Sequence, residues 1–191
     1  MILFVNACVR KDSRTKRLAD HLLARIGEQG EEPIEEVKLS EISFPTVDEA
    51  FLVKRGSLIA AEAFDDPMFA PARQFAGAEK IVIAAPYWDL SFPASLKQYI
   101  EQINVLGITF SYTPEGTPEG LCRAKELYYV MTAGGAFCPE DYGFGYIKAL
   151  AENFYGIQRV SLIKAVGLDI IGADVEEILR EAVAAYGTFT Q

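Results

Sequence analysis

Five short runs typical of strands constrain the fold of this 191-residue chain more than any other feature; most of them are apolar, and stretches with helical spacing separate them. The runs cover residues 2–7, 34–39, 80–85, 126–132 and 160–166. Strands that are apolar along their length and alternate with helices are typical of a parallel sheet covered on both faces. We therefore expect an α/β fold built on one such sheet.

Five helices are expected between and after these strands. Ser13 can cap the first helix, whose apolar stripe is formed by Leu18, Leu22 and Ile26. Further helices are expected at residues 93–106 and within residues 146–155. The last helix has apolar residues at helical spacing, namely Val175, Ile178, Leu179, Ala182, Val183 and Tyr186.

Residues 40–76 are ambiguous because Pro45, Pro67 and Pro71 interrupt them, and only residues 68–75 have a helical pattern. The alternation of five strands and five helices fits a doubly wound, flavodoxin-like arrangement with strand order 2-1-3-4-5. We expect a single domain over residues 1–191. This order places the loops after the first and third strands side by side, where a ligand is expected.

The charge and the cysteines exclude several classes of function. The net charge of −9 argues against a nucleic-acid or anionic-membrane surface, and no apolar run approaches the ~20 residues of a membrane span. Cys8, Cys122 and Cys138 are widely spaced, which predicts neither a disulfide framework nor a metal site. A reducing cytoplasm is the expected location.

The loop after the first strand is basic, although the chain as a whole is acidic. Arg10, Ser13, Arg14 and Thr15 stand where the first helix begins. The free amides of a helix N-terminus, together with Arg and hydroxyl side chains, favour a phosphate. There is no GxGxxG and no GxxxxGK[ST] motif, so a mononucleotide is expected rather than a dinucleotide or a P-loop ligand. The alternative is a solvated helix start with an ordinary Ser cap.

Two further loops favour a flat heterocycle. The third strand runs into an aromatic loop consisting of Pro86, Tyr87, Trp88, Asp89 and Leu90. Loops at the carboxyl ends of such strands can cover a planar ligand. The fourth strand ends in Thr132, Ala133, Gly134 and Gly135, where glycines permit close approach of the backbone. Ordinary strand-to-helix turns are the alternative at both places.

Three linked segments resemble a known family. They are APYWDLSFPASLKQYIEQI, then GITFSYTPEGTPEGL, then a strand that ends in TAGG. In this order they resemble the FMN-dependent NAD(P)H:quinone oxidoreductases of the flavodoxin-like fold, especially the bacterial azoreductase branch. Ser13-Arg14-Thr15 is similar to the family's S-x-S phosphate signature.

The resemblance implies a cofactor site for FMN. Arg10, Ser13, Arg14 and Thr15 would hold its phosphate. The isoalloxazine would lie against Pro86, Tyr87, Trp88, Asp89 and Leu90, and its pyrimidine side against Thr132, Ala133, Gly134 and Gly135. The family's sites lie at a homodimer interface, so the resemblance also implies that Phe110 and Tyr112 cover the ring or the substrate pocket.

The resemblance further implies hydride transfer from NADH or NADPH to FMN N5, and from there to a quinone, azo or nitroaromatic acceptor. Ping-pong kinetics would follow, with no catalytic side chain required because the chemistry belongs to the cofactor. Asp89 departs from the family, which usually has Asn there. Its carboxylate would lower the flavin potential, or else it points away and caps the turn. Two other functions stay open: an FMN electron carrier that NAD(P)H does not reduce, and a flavin-free regulatory protein.

Overall fold

The first strand of the chain lies inside a five-stranded parallel sheet. A computed structural model describes residues 1–28, 30 and 32–186. The sheet strands are β1 (Ile2–Asn6), β2 (Ile34–Lys38), β3 (Lys80–Ala84), β6 (Glu126–Thr132) and β7 (Arg159–Ala165). Their order is β2-β1-β3-β6-β7, with every neighbouring pair parallel. The predicted flavodoxin-like order is therefore confirmed, with β6 and β7 as the fourth and fifth strands.

An antiparallel hairpin interrupts the alternation. It consists of β4 (Phe110–Tyr112) and β5 (Pro118–Gly120) and forms a separate two-stranded sheet. The sequence does not predict this hairpin, because each of its strands has only three residues. Gly120 packs so closely against Tyr155 and Gly156 that a Cβ there would lie 2.1 Å from their backbone. Glycine at this position therefore lets the hairpin pack on the body of the fold.

Helices cover both faces of the sheet. They are α1 (Arg14–Gly27), α2 (Glu49–Ala60), α3 (Ala70–Gly77), α4 (Ala94–Ile103), α5 (Phe144–Leu150) and α6 (Val175–Tyr186). A π-helical turn, Ala151–Tyr155, continues α5. Alternate residues of the strands face opposite sides. Ile2 and Phe4 of β1 therefore pack with α1 and α6, whereas Leu3 and Val5 pack with α3, α4 and α5.

Helix α2 corrects the prediction for residues 40–76, of which only residues 68–75 were expected to be helical. None of the described residues of α2 is buried, and Leu52 and Val53 face solvent, so the helix lacks the apolar stripe that the prediction relied on. Its N-cap is Asp48, whose side chain accepts a hydrogen bond from the Phe51 amide at 2.8 Å. Pro67 and Pro71 do not break structure: each stands in the first turn of a helical segment, where proline is tolerated.

The parallel register brings the carboxyl ends of four strands together. Asn6 pairs with Ala84, Ala84 with Val130, and Thr132 with Ala165. The loops that follow β1, β3, β6 and β7 therefore meet at one edge of the sheet. Residues 187–191, the end of the predicted domain, lie outside the described residues. No helix in the described part of the chain is long and apolar enough to cross a membrane.

Candidate cofactor site

A polar cavity of about 430 Å³ lies where these four loops meet. We refer to it as the cofactor cavity. Ten of the thirteen cofactor-binding residues expected from the sequence line it: Arg10, Ser13, Arg14, Thr15, Pro86, Tyr87, Trp88, Thr132, Ala133 and Gly134. Val9, Asp12, Leu168 and Asp169 also line it, and the sequence analysis did not single them out.

The N-terminus of α1 forms one end of the cofactor cavity. Ser13 has extended backbone and caps the helix, since its side-chain oxygen accepts a hydrogen bond from the Lys16 amide at 3.2 Å. The Thr15 and Thr132 hydroxyls are 2.6 Å apart and join the start of α1 to the end of β6. Amides in the first turn of a helix have no intrahelical partner, and the helix dipole makes this end attractive to an anion. This end can therefore bind a phosphate.

Asp169 connects the basic end of the cavity to the glycine loop. Arg14 Nη1 donates to Asp169 Oδ1 at 2.6 Å, and the Asp169 amide donates to the Gly134 carbonyl at 2.9 Å. A Cβ on Gly134 would lie 2.0 Å from Asp169 Oδ2, so this position has no room for a side chain while Asp169 keeps its place. Asp169 follows β7, and the rule that ligands bind at the carboxyl ends of the strands could have identified it.

The aromatic loop is a tight turn in a rarely occupied conformation. Trp88 and Ser91 exchange two backbone hydrogen bonds, of 3.1 and 2.7 Å. The two residues between them, Asp89 and Leu90, have φ values of 50° and 67°. Two consecutive left-handed residues in a two-residue loop are typical of a type I′ turn, which favours Asn, Asp and Gly. Leu90 is thus strained, and strain of this kind is concentrated at functional sites.

Hydrogen bonds to the end of β6 and to the loop that follows it hold the aromatic turn in place. The Tyr87 amide donates to the Thr132 carbonyl at 3.0 Å, and the Tyr87 hydroxyl donates to the Pro139 carbonyl at 3.0 Å. Ser91 Oγ donates to the Tyr142 carbonyl at 2.8 Å. Burial raises the pKa of the Tyr87 phenol, and the neighbouring Cys138 raises it further, so the hydroxyl stays a donor at neutral pH.

Five of the residues expected at the site are not part of the cavity lining. Asp89 and Leu90 are exposed at the tip of the turn, and Gly135 lies one residue beyond the lining. Phe110 and Tyr112 are on β4, where the Phe110 ring packs against Tyr112 and Phe154 with centroids 5.6 and 5.0 Å apart. Within one chain, therefore, these two aromatic residues do not join the loops at the sheet edge.

The donor set of the cofactor cavity fits FMN. Two arginines, a capping serine and a helix N-terminus converge at one end, and the Tyr87–Trp88 turn and the end of β6 form the rest. The volume is within the ~300–1,000 Å³ range of small-molecule sites. In the described part of the chain, no cluster of three or more His, Cys, Asp or Glu residues could hold a metal ion.

The chain belongs to the flavodoxin-like fold family, whose sequence model matches residues 1–189. It is 37% identical to the FMN-dependent NADH:quinone oxidoreductase 2 of Clostridium acetobutylicum, over 95% of this chain and 94% of that protein. It is 32% identical to the FMN-dependent NADH:quinone oxidoreductase of Clostridium perfringens, over 95% and 93%. The crystal structure of an azoreductase from Bacillus anthracis superposes with a TM-score of 0.81, at 26% identity over 98% of this chain and 99% of that one.

Proposed function

We propose that this protein is an FMN-dependent oxidoreductase that passes hydride from NADH to a quinone or azo acceptor. The observation that carries the proposal is the cofactor cavity, in which a helix N-terminus with two arginines meets an aromatic turn and a glycine loop. The relatives named FMN-dependent NADH:quinone oxidoreductase support it, since they match this chain over most of its length.

The phosphate of FMN would be bound at the start of α1. The hydroxyls of Ser13 and Thr15 and the amides of the first helical turn would donate to its oxygens. Arg14 already has a carboxylate partner in Asp169, so it would contribute by turning part of its fork to the phosphate. Arg10 is exposed at the rim, where it would add a second positive charge.

The isoalloxazine would lie between the aromatic turn and the end of β6. Tyr87 and Trp88 would contact its ring system, and Thr132, Ala133 and Gly134 would approach its pyrimidine edge. Asp89, Leu90 and Gly135 follow lining residues in the sequence but do not line the cavity themselves, so they would shape the site without contacting the ring directly. Asp89 is exposed at the tip of the turn, so its carboxylate would stay in solvent and its backbone would shape the site.

FMN would supply the two-electron chemistry, taking hydride at N5 from the nicotinamide and giving it to the acceptor. The task of the protein is then to bind and orient. The cofactor cavity is open at the sheet edge, so nicotinamide and acceptor would use the same face of the site in turn, which gives ping-pong kinetics. No side chain has to act as a general acid or base.

We also propose a homodimer located in the cytoplasm. Leu52 and Val53 of α2 are 53% and 63% exposed, and Tyr112 on β4 is 49% exposed. Leu52 and Val53 are neighbours on α2, and adjacent exposed apolar side chains are typical of interaction surfaces. A partner chain could then bring Phe110 and Tyr112 over a cofactor cavity that these residues do not reach within their own chain. All three cysteines are free, which suits a reducing compartment.

An absorption spectrum tests the proposal. The purified protein is mixed with FMN, desalted, and then titrated with NADH without oxygen. We expect a yellow protein that bleaches with NADH and regains its colour when a quinone is added. Colour that persists with NADH would instead indicate an electron carrier, and the absence of retained FMN would contradict the proposal.

A further inference from the structure

A second cavity, of about 880 Å³, lies away from the sheet edge, beneath α2. We call it the α2 cavity. It is walled by α2, by the chain from Ile42 to Pro45, by the start of α3 and by one face of α4. It shares no lining residue with the cofactor cavity. The proposed oxidoreductase chemistry therefore leaves it unexplained.

The lining of the α2 cavity is apolar, with a small set of polar groups. Ten of its fourteen residues are apolar, and the others are Lys54, Gln74, Tyr99 and Gln102. No carboxylate lines it, although the protein carries a net charge of −9. An apolar cavity with one cation and no acid is complementary to an apolar molecule that carries negative charge.

Two residues that line the cavity, Tyr99 and Gln102, each carry a buried polar atom that has no partner among the described residues. Tyr99 and Gln102 lie three residues apart on one face of α4 and are 1% and 7% exposed. Across the described residues, no group forms a hydrogen bond with the Tyr99 hydroxyl or with Gln102 Nε2. An unpaired buried polar group costs about 1–3 kcal/mol, so such groups usually indicate a missing partner. Gln102 Nε2 can only donate, and the Tyr99 hydroxyl can donate as well.

Lys54 lines the same cavity from the side of α2. Its neighbour Arg55 donates to the Glu101 carbonyl at 2.9 Å and also to the Asn104 carbonyl, and these two carbonyls flank Gln102 in α4. Lys54 is exposed, and no acidic partner for it exists among the residues placed in the structure. One cation on α2 and two unpartnered donors on α4 thus belong to the lining of one cavity, between helices that Arg55 links.

We infer that the α2 cavity binds an apolar monocarboxylate, with the carboxylate at Lys54 and Gln102 and the apolar body beneath α2. The body would extend toward Ile42 and Phe44, which line the cavity from the segment between β2 and α2. Entry is feasible because α2 buries none of its described residues, so displacement of its N-terminal half exposes little apolar surface.

A second copy of the chain is the competing occupant. The residues of α2 that line the cavity are Ala50, Phe51 and Lys54; Lys54 stands four residues after Ala50 and three after Phe51, so it shares the inner side of the helix with both. Leu52 and Val53 lie on the outer face and are exposed. A dimer contact through the outer face would leave the cavity free, whereas a dimer that fills the cavity would compete with the ligand.

Calorimetric titration of the full chain with decanoate tests the inference, with and without added FMN. We expect one saturable site, with weaker binding of decan-1-ol, which has the same apolar length and no charge. Ala70→Trp, at an exposed position of the lining, should weaken decanoate binding about 10-fold or more by filling the cavity. Lys54→Met should weaken it about 3- to 5-fold. Lys125→Met, which removes another exposed lysine, should have no effect.

Gln102→Leu separates a binding role from a structural one. It should raise the thermal midpoint, because it removes an unpaired buried amide, and at the same time weaken decanoate binding. Equal decanoate affinity in the wild type, Ala70→Trp and Lys54→Met would overturn the inference, as would the absence of any saturable binding by the folded protein. Decanoate affinity that falls as the protein dimerises would assign the cavity to a second copy and would also overturn it. FMN retention and bleaching by NADH, measured on the same variants, report on the proposed function separately.

Discussion

The two cavities of this protein differ in how they are built. The cofactor cavity is the smaller, about 430 Å³ against about 880 Å³, and its walls are loops whose backbone groups bond to one another and to the strand ends. The α2 cavity is walled by side chains, most of them apolar, beneath a helix that buries none of its described residues. The larger cavity is therefore the less polar and the less firmly enclosed.

The difference shows that volume alone does not identify the site of chemistry. At the carboxyl edge of a parallel sheet, strand ends and a helix N-terminus present free amides that can bind a charged group. The cofactor cavity also contains two short polar contacts: Arg14 donates to Asp169 at 2.6 Å, and the Thr15 and Thr132 hydroxyls are 2.6 Å apart. The α2 cavity has only a few polar groups, two of them unpartnered. The α2 cavity therefore suits a ligand that binds mainly by burying its apolar surface.

The largest expected effect comes from removing the cations of the cofactor cavity. The double substitution Arg10→Met and Arg14→Met should weaken FMN binding about 100-fold, because hydrogen bonds to charged groups contribute about 1.5–3 kcal/mol each. Fluorescence titration of FMN measures this. Decanoate affinity should not change, because neither arginine lines the α2 cavity.

Arg159→Met combined with Lys125→Met is the matched control for that double variant, because it also removes two positive charges from exposed positions. Arg159 is also exposed and also paired with an acid, Glu126 at 2.8 Å, but it lies at the start of β7, at the opposite edge of the sheet. FMN affinity should stay at the wild-type value. An equal loss in both variants would mean that net charge, and not the position of Arg10 and Arg14, attracts the phosphate.

The sheet could be predicted because burial leaves a strong signal in its strands. β1, for example, is buried along its whole length, so an apolar run and a strand coincide there. Helix α2 could not be predicted in the same way. Its apolar residues are divided between the inner and outer faces, with Phe51 toward the cavity and Val53 toward solvent, and this distribution hides the helical period.

The cofactor cavity was predictable where its residues are adjacent in sequence. Ser13 and Arg14 follow one strand, and Tyr87 and Trp88 follow another, so each loop could be found by itself. The position of Asp169 after β7 could have indicated it, but its ion pair with Arg14 could not be predicted, because the two residues lie 155 positions apart and such a pair has no local pattern. The left-handed backbone of Leu90 was equally hidden, since leucine is among the residues least expected there.

The next largest expected effect is a difference of about 2 kcal/mol in the free energy of unfolding between Tyr→Phe variants of two buried tyrosines. The Tyr155 hydroxyl donates to Asn104 Oδ1 at 2.6 Å, whereas the Tyr99 hydroxyl has no partner among the residues that are described. Burial raises the pKa of both phenols, so both are protonated at neutral pH. Tyr155→Phe should lower the free energy of unfolding by about 1 kcal/mol, and Tyr99→Phe should raise it by about 1 kcal/mol. Urea denaturation measures both. A loss of stability in Tyr99→Phe would show that its hydroxyl has a partner in solution.

The smallest expected effect concerns backbone strain. The turn at the cofactor cavity contains Leu90 with positive φ, whereas no described residue of helix α2, which covers the α2 cavity, has positive φ. Leu90 has φ of 67°, and a left-handed leucine costs about 1–2 kcal/mol. Glycine relieves that strain but loses about 0.5–1 kcal/mol to the entropy of the unfolded chain, so Leu90→Gly should stabilise the protein by about 0.5–1 kcal/mol. Leu121→Gly, at a similarly exposed leucine without positive φ, should destabilise it. If Leu90→Gly also weakens FMN binding, the strained turn is maintained for the ligand; if FMN affinity is unchanged, the strain is a property of the turn alone.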